Sequence, residues 1–268
     1  MKCGFRLALP FLVALSVLCN ISAIAQIEQI DLKSLAKKAS PAVMLLTISD
    51  ANGDEIASGT GFLISSNGKL ITNYHVIEGG ARAVAKAENG GLFPVEGVLA
   101  LDPENDLAVL KIASKGLPFL TLSTSKNIEV GSRVAIIGSP LGLEGSMSEG
   151  IVSAIRESDE GIGFIQVTAA ISPGSSGSPV LDAKGHIIGV ATATIRGGQA
   201  LNFAVPADAA IALIARAENT PVAQPLDSVV ARDDSKLIAD SDYMDARQAE
   251  SEKDFAQQLK YAQNLVRR

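Results

Sequence analysis

A serine hydroxyl acts as a nucleophile when a fixed turn projects it and backbone N–H groups point at the oxyanion it creates. The octapeptide Ser172-Pro173-Gly174-Ser175-Ser176-Gly177-Ser178-Pro179 has the residue types for that task, small and turn-forming, between two apolar runs. Ser176 is the candidate nucleophile, and the N–H groups of Gly174 and Ser176 are the candidate oxyanion donors. Gly177 permits a backbone angle that a side chain resists. Taken alone, the same stretch also reads as a flexible serine-glycine turn, so a base must be found. The chain has two histidines. His186 follows Lys184-Gly185, the residues of a hairpin turn, and reads as surface. His75 ends Leu70-Ile71-Thr72-Asn73-Tyr74-His75, just past an apolar strand and before Glu78-Gly79-Gly80, where a loop presents it to a cleft. A lone histidine among apolar residues also fits a structural role. Asp106 opens the apolar run Leu107 to Ile112, where an unpaired carboxylate is costly. Pairing with His75 offsets that cost and fixes the tautomer whose other nitrogen faces the serine. The chain order His, Asp, Ser at wide separation is one of the orders in which such triads occur, and the three side chains should form one hydrogen-bonded line.

The elements that must hold these groups are strands. Short apolar runs from Val43 to Val205 are separated by Asn52-Gly53, Asn67-Gly68 and Lys184-Gly185, a pattern of many short strands that predicts an all-β barrel or sandwich. A short helix over 31–39 precedes them, with Asp31 as N-cap and Ser40-Pro41 as stop. A second helix over Ala207 to Ala217 closes the domain. Residues 218–226, with Pro221 and Pro225, read as a linker, and 227–268 as a charge-rich tail. Met244, Phe255, Leu259, Ala262 and Val266 fit one amphipathic helix in that tail, and a solvated, irregular tail fits equally.

Residues 1–25 read as an export signal. Lys2 and Arg6 precede an apolar stretch from Leu7 to Leu18, and Ala23-Ile24-Ala25 is a cleavage site. The apolar run falls short of the roughly 20 residues that span a bilayer and Pro10 interrupts it, so no stable membrane insertion is expected after removal. Cys3 and Cys19 both lie in the leader, so the mature domain relies on its core rather than on disulfides. Without Lys2 and Arg6 the 29 acidic residues face 21 basic ones, a formal charge of −8. That balance, with no Trp and 4% aromatic residues, argues against a nucleic-acid partner. Two histidines and no mature cysteine predict no metal site, and the absence of a nucleotide-binding glycine motif predicts no cofactor.

Around these residues the sequence resembles the HtrA/Deg family of exported serine proteases. The resemblance runs in order through Gly59-Thr60-Gly61-Phe62-Leu63-Ile64, Thr72-Asn73-Tyr74-His75-Val76, Asn105-Asp106-Leu107-Ala108-Val109-Leu110-Lys111, Gly138-Ser139-Pro140-Leu141-Gly142, Gly150-Ile151-Val152-Ser153 and Leu201-Asn202-Phe203-Ala204-Val205-Pro206. It covers roughly residues 40–215. It implies a trypsin-like double six-stranded β-barrel with short flanking helices, and a serine endopeptidase whose triad is His75, Asp106 and Ser176 in the cleft between barrels. It also implies a mobile loop over 138–150 that organises the site. By the same resemblance the substrate pocket is walled by Ala170, Ile171, Ala191, Thr192, Ala193 and Thr194. With no acid at its floor, the pocket suits small or medium aliphatic side chains. Three positions depart from the family pattern: Ser175 stands for asparagine, Ser178 for glycine, and Thr168 where aspartate is frequent. The Ser-Gly-Ser-Pro form is similar to that of glutamyl endopeptidases, but Ala191-Thr192-Ala193 lacks their pocket histidine.

The expected substrates are unfolded or extended polypeptides, met in the periplasm or outside the cell. No peptide-binding PDZ domain is expected after 217, and the tail is a candidate for homo-oligomer assembly or for docking a partner protein. A tail truncation with unchanged size in solution and unchanged partner binding eliminates that role. The rival reading of the whole chain is a protease-like module that binds peptides or a partner with little or no catalysis.

Overall fold

The computed structural model of the protein describes residues 31–139, 145–158, 161–194, 202–220 and 222–230. The expected leader, both cysteines, the tail after 230 and the centre of the 138–150 loop fall outside them.

The strands close into two six-stranded antiparallel barrels, ordered β1-β2-β3-β6-β5-β4 and β10-β11-β12-β9-β8-β7. The first barrel comprises β1 (Val43–Ser49), β2 (Glu55–Leu63), β3 (Lys69–Thr72), β4 (Arg82–Ala87), β5 (Leu92–Asp102) and β6 (Leu107–Ile112). The second comprises β7 (Arg133–Gly138), β8 (Ser146–Ser158), β9 (Gly161–Val167), β10 (Pro179–Leu181), β11 (Ile187–Thr194) and β12 (Asn202–Pro206). Among the described residues four α-helices flank them: α1 (Leu32–Ala39), α2 (Tyr74–Ile77), α3 (Ala207–Glu218) and α4 (Leu226–Val229). The double barrel anticipated from the family resemblance is the fold observed.

Alternation along each strand decides which core a side chain enters. On β7, Val134 and Ile136 fill the second barrel, whereas Ala135 and Ile137 join the larger core built on the first barrel. The two barrels thus share apolar packing along β7 rather than meeting through a solvated gap. Phe62, Met44, Leu46, Ile48 and Leu70 are fully buried in the larger core, each contributing about 1.5–3 kcal/mol by leaving water.

Helix α3 ties the barrels across their backs. It buries Ala207, Ala210, Leu213 and Ala217 at helical spacing. Near its start the Asp208 carboxylate accepts from Ser125 N (2.6 Å) and Thr124 Oγ1 (2.9 Å). Near its end Arg216 pairs with Asp102 at 2.8 Å, at the mouth of the turn that leads to Asp106.

The segment expected as a linker, 218–226, is in part attached to the first barrel. Gln224 and Val98 exchange two backbone hydrogen bonds, of 2.7 and 2.8 Å, and Leu226 and Val230 are buried in the larger core. Pro221 and Pro225 suggested a free spacer, but a proline need only lack its own N–H, and Pro225 serves as the N-cap of α4. Gly97 admits this return: its φ is +152°, and a Cβ there would stand 2.3 Å from Gln224 O. The strap then passes behind the histidine helix, where Gly79 N donates to Val230 O at 2.8 Å.

Candidate active site

Strand pairing brings His75 and Asp106 together. β3 and β6 run antiparallel with Thr72 opposite Ala108, so the same register carried two residues onward sets Tyr74 opposite Asp106. At that point β3 ends and the chain turns into α2, a single helical turn that carries His75. The histidine therefore sits on a helical turn just past a strand end. Asp106 precedes β6 with φ +52°, the one non-glycine residue with positive φ among the described residues. Aspartate tolerates this left-handed geometry better than most side chains, and Asp102 builds the turn by accepting from Asn105 N (3.2 Å) and Asn105 Nδ2 (3.1 Å).

The strained aspartate is held at both ends. Its carbonyl accepts from Asn73 Nδ2 (2.8 Å) and Tyr74 N (3.2 Å). Its carboxylate accepts from His75 N at Oδ1 (2.9 Å), lies 2.7 Å from His75 Nδ1 at Oδ2, and accepts from the Thr192 hydroxyl at the same oxygen. Burial works to raise the Asp106 carboxyl, but the hydrogen bond and charge of His75, the Thr192 hydroxyl and the His75 N–H together outweigh it and hold the group below the usual carboxylate range. Asp106 is thus a carboxylate that stays ionised while partly buried, which is the state that can stabilise an imidazolium.

The loop that carries Ser176 is built on a β-turn. Ser175 N donates to Ser172 O at 2.8 Å across Pro173-Gly174, and Gly174 has φ +89°. Proline then glycine with positive φ at the two central positions is the type II pattern. The loop is anchored behind Ser176 by Gly177 N to Ala191 O (2.9 Å) and by Thr60 N to Ser176 O (2.8 Å). No described residue accepts from the N–H groups of Gly174 and Ser176, the two candidate oxyanion donors.

Gly177 is forced by its surroundings. Its φ is +86°, and a Cβ would lie 2.0 Å from Thr60 O and 2.6 Å from Thr72 Oγ1. Gly177→Ala should therefore lower stability on the order of 3 kcal/mol, from left-handed strain plus overpacking. The measurement is the urea midpoint at unchanged slope, and a shift near zero contradicts this geometry.

The hydroxyl of Ser176 donates to Thr192 O at 3.3 Å. Thr192 therefore joins the two halves of the site: its hydroxyl binds Asp106 and its carbonyl binds Ser176. Of the single hydrogen-bonded line expected from the sequence, the His75–Asp106 half is present, whereas Ser176 bonds to the Thr192 carbonyl and not to the imidazole. Among the described residues Ser176 makes no hydrogen bond to His75. Gly59 lies where the two segments meet: a Cβ there would stand 2.7 Å from the side chain of Val76, the neighbour of His75, and 3.3 Å from Ser176 O. Turning a serine hydroxyl needs only rotation about χ1, and catalytic hydrogen bonds commonly tighten when substrate binds.

The expected pocket residues divide. Ala170 is exposed, with its carbonyl accepting from Ser148 Oγ (2.8 Å), and Ile171 is partly buried against the second core. Ala191 is fully buried within that core, and the Thr192 hydroxyl is committed to Asp106. The side chains of Ala193 and Thr194 lie outside the described residues. Two contributors were not singled out from the sequence: Thr192 as a partner of Asp106, and Thr60 as an anchor of the loop. Neither lies near its partners in the chain, and no local pattern marks a threonine as bonded across 86 or 114 residues. A cavity of about 530 Å³ lies elsewhere, on the second barrel beside His186 and Asp182, and none of the candidate catalytic residues lines it. His186 belongs to the turn read from Lys184-Gly185, with its N–H bonded to Asp182 Oδ1 at 2.8 Å.

With the geometry in place, similarity to other proteins is informative. The trypsin-like peptidase domain family matches residues 59–190. The chain is 39% identical over 159 residues to a putative serine protease HhoB of Synechocystis sp., covering 57% of this chain and 38% of that protein. It is 33% identical over 291 aligned positions to a probable periplasmic serine endoprotease DegP-like of Halomonas elongata, covering 91% of this chain and 61% of that protein. The chain thus spans less than two thirds of the length of these curated relatives. Among solved structures, the HtrA-type protease AlgW with tripeptide superposes with a TM-score of 0.62 at 34% identity, over 68% of this chain and 62% of that one. The serine endoprotease from Yersinia pestis gives a TM-score of 0.63 at 26% identity, over 70% and 67% of the two chains. No helix among the described residues is long and apolar enough to cross a membrane.

Proposed function

Because this chain belongs to the trypsin-like serine peptidases, in the HtrA/Deg family, we propose that it hydrolyses peptide bonds in unfolded or extended polypeptides through an acyl-enzyme on Ser176. The observation that carries the reading is the 2.7 Å contact of His75 Nδ1 with an Asp106 carboxylate that is ionised and partly buried. A carboxylate on Nδ1 leaves Nε2 as the basic nitrogen.

In the proposed mechanism the Ser176 hydroxyl turns from Thr192 O to His75 Nε2 and attacks the scissile carbonyl, and its proton passes to the imidazole. The N–H groups of Gly174 and Ser176 bind the oxyanion. His75 then gives its proton to the leaving amine, which departs and leaves an ester on Ser176. Water, deprotonated by His75, attacks the ester and regenerates the serine with release of the acid. Asp106 holds the imidazole throughout and stabilises its charged form. Aliphatic side chains before the cleaved bond and an exported location belong to the same proposal, supported by the apolar Ala170 and Ile171 and by relatives named periplasmic.

A fluorophosphonate probe tests this reading. It should form an adduct that mass mapping places on Ser176, and the same preparation should cleave denatured casein. The second reading, a protease-like binding module, is favoured by one observation, the bond of Ser176 to Thr192 O rather than to His75. Peptide binding without an adduct and without cleavage would select it.

A further inference from the structure

We propose that Thr60 is a positioning residue that aims the two oxyanion donors by clamping the nucleophile loop to the end of β7; this deepens the reading of Ser176 as nucleophile and rests on it. Thr60 is wholly buried on β2, in the opposite barrel from Ser176, yet all its polar groups act on the site or its supports. Its N–H donates to Ser176 O at 2.8 Å. Its hydroxyl donates to Gly174 O at 2.7 Å. One residue therefore grips the carbonyls of both residues whose N–H groups form the proposed hole. The same hydroxyl accepts from Ser139 N at 3.1 Å, and the Thr60 carbonyl accepts from Thr72 Oγ1 at 2.7 Å.

The hydroxyl matters because Gly174 has little else to fix it. Its positive φ and missing side chain leave its peptides free to rotate, so the direction of its N–H depends on what holds the neighbouring units. The 174–175 peptide is held at its N–H by Ser172 O and at its C=O by Thr60 Oγ1. Without the hydroxyl only the turn remains. The second contact makes the clamp two-sided: Ser139 is where β7 leaves the barrel, it is 1% exposed, and its N–H bonds to Thr60 Oγ1. Beside it, Gly138 lies so close to Ser178 that a Cβ there would stand 2.3 Å from Ser178 Oγ. The end of β7 is thus pressed on the nucleophile loop at two points, with the threonine hydroxyl as the polar joint. Its removal leaves a carbonyl and a buried N–H without partners, and the loop must move to satisfy them.

The test compares the full chain with Thr60→Val, which keeps the volume and removes the hydroxyl, and Thr60→Ser, which keeps the hydroxyl. Fluorescent casein turnover, fluorophosphonate labelling rate and amide exchange at Ser139 are read on each. Thr60→Val should lose about 10- to 100-fold in kcat with KM within about twofold, as expected for misaimed donors. Thr60→Ser should stay within about threefold of the parent, and Ser139 exchange should quicken in Thr60→Val alone. Unchanged kcat in Thr60→Val, a loss equal in both variants, or a change in KM only would overturn the assignment while leaving the nucleophile reading intact. If the parent neither labels nor cleaves, the nucleophile reading fails with the aiming role, and Ser139 exchange decides whether the clamp itself stands. Should Thr60→Val not fold, Thr60→Ala carries the same comparison. Failure of both to fold, beside an active Thr60→Ser, would assign the hydroxyl a purely structural role and overturn the proposal.

Discussion

Ser176→Ala should abolish fluorophosphonate labelling and lower kcat on denatured casein by about 10⁶-fold, the scale on which removal of a triad nucleophile acts. Folding should hardly notice. Among the described residues the Ser176 hydroxyl makes one hydrogen bond, to Thr192 O at 3.3 Å, and the loop is held by its backbone through Thr60 N and Ala191 O. The urea midpoint should therefore correspond to a stability within about 0.5 kcal/mol of the parent, as for a substitution that removes no buried contact. A variant that is inactive because it is unfolded is distinguished by that second measurement. Retained labelling would move the nucleophile elsewhere, with the other serines of the 172–178 turn the first to be tested.

Asp106→Asn should lower kcat on the order of 10⁴-fold with modest change in KM. The amide can still accept from His75 N through its oxygen, so the geometry survives. Its NH₂, however, faces His75 Nδ1 where Oδ2 now stands 2.7 Å away, and forces that nitrogen to accept. The ring proton then sits on Nε2, which can no longer take the proton of Ser176. The same substitution changes acid stability, with a sign set by the lowered carboxyl. A carboxylate whose folded value lies below its unfolded one stabilises the fold above the unfolded value, about 4, and loses that contribution as pH falls through the folded value. The parent should therefore lose more stability than Asp106→Asn between neutral and acid pH, measured by urea unfolding at several pH values. Equal losses would mean that Asp106 gains nothing from His75 and Thr192.

Much of this site was legible because scarcity constrains it. With two histidines in 268 residues, His75 was the candidate base because His186 followed a hairpin turn. Asp106 was legible because a carboxylate at the head of Leu107 to Ile112 needs a partner. A turn was legible in Pro173-Gly174, but its type came from the structure. Other features had no sequence signal. Residues 218–226 read as a spacer because prolines mark breaks, yet Gln224 pairs with Val98 through backbone groups that every residue carries. Ala191 and Thr192 were assigned to a pocket wall by the family resemblance alone. The structure buries the first in the core and turns the second onto Asp106, a difference set by strand pleat and by the shift in β11–β12 pairing between Ala191 and Ala193.

What the amino-acid order supplied by itself was the inventory: one candidate base, one carboxylate in need of a partner, a serine on a glycine turn, and many short strands suited to a barrel or a sandwich. These follow from local chemistry, since turn residues, apolar alternation and the cost of a bare carboxylate act within a few residues. What the tertiary structure alone decided was the wiring. Thr192 linking Asp106 to Ser176, Thr60 holding both Gly174 and Ser176, and Val230 bonded behind the histidine helix each join positions far apart in the chain. Hydroxyls and backbone amides bond to whatever the closed barrels place within about 3 Å, and that neighbour is chosen by strand register and barrel packing, not by the residue's own type.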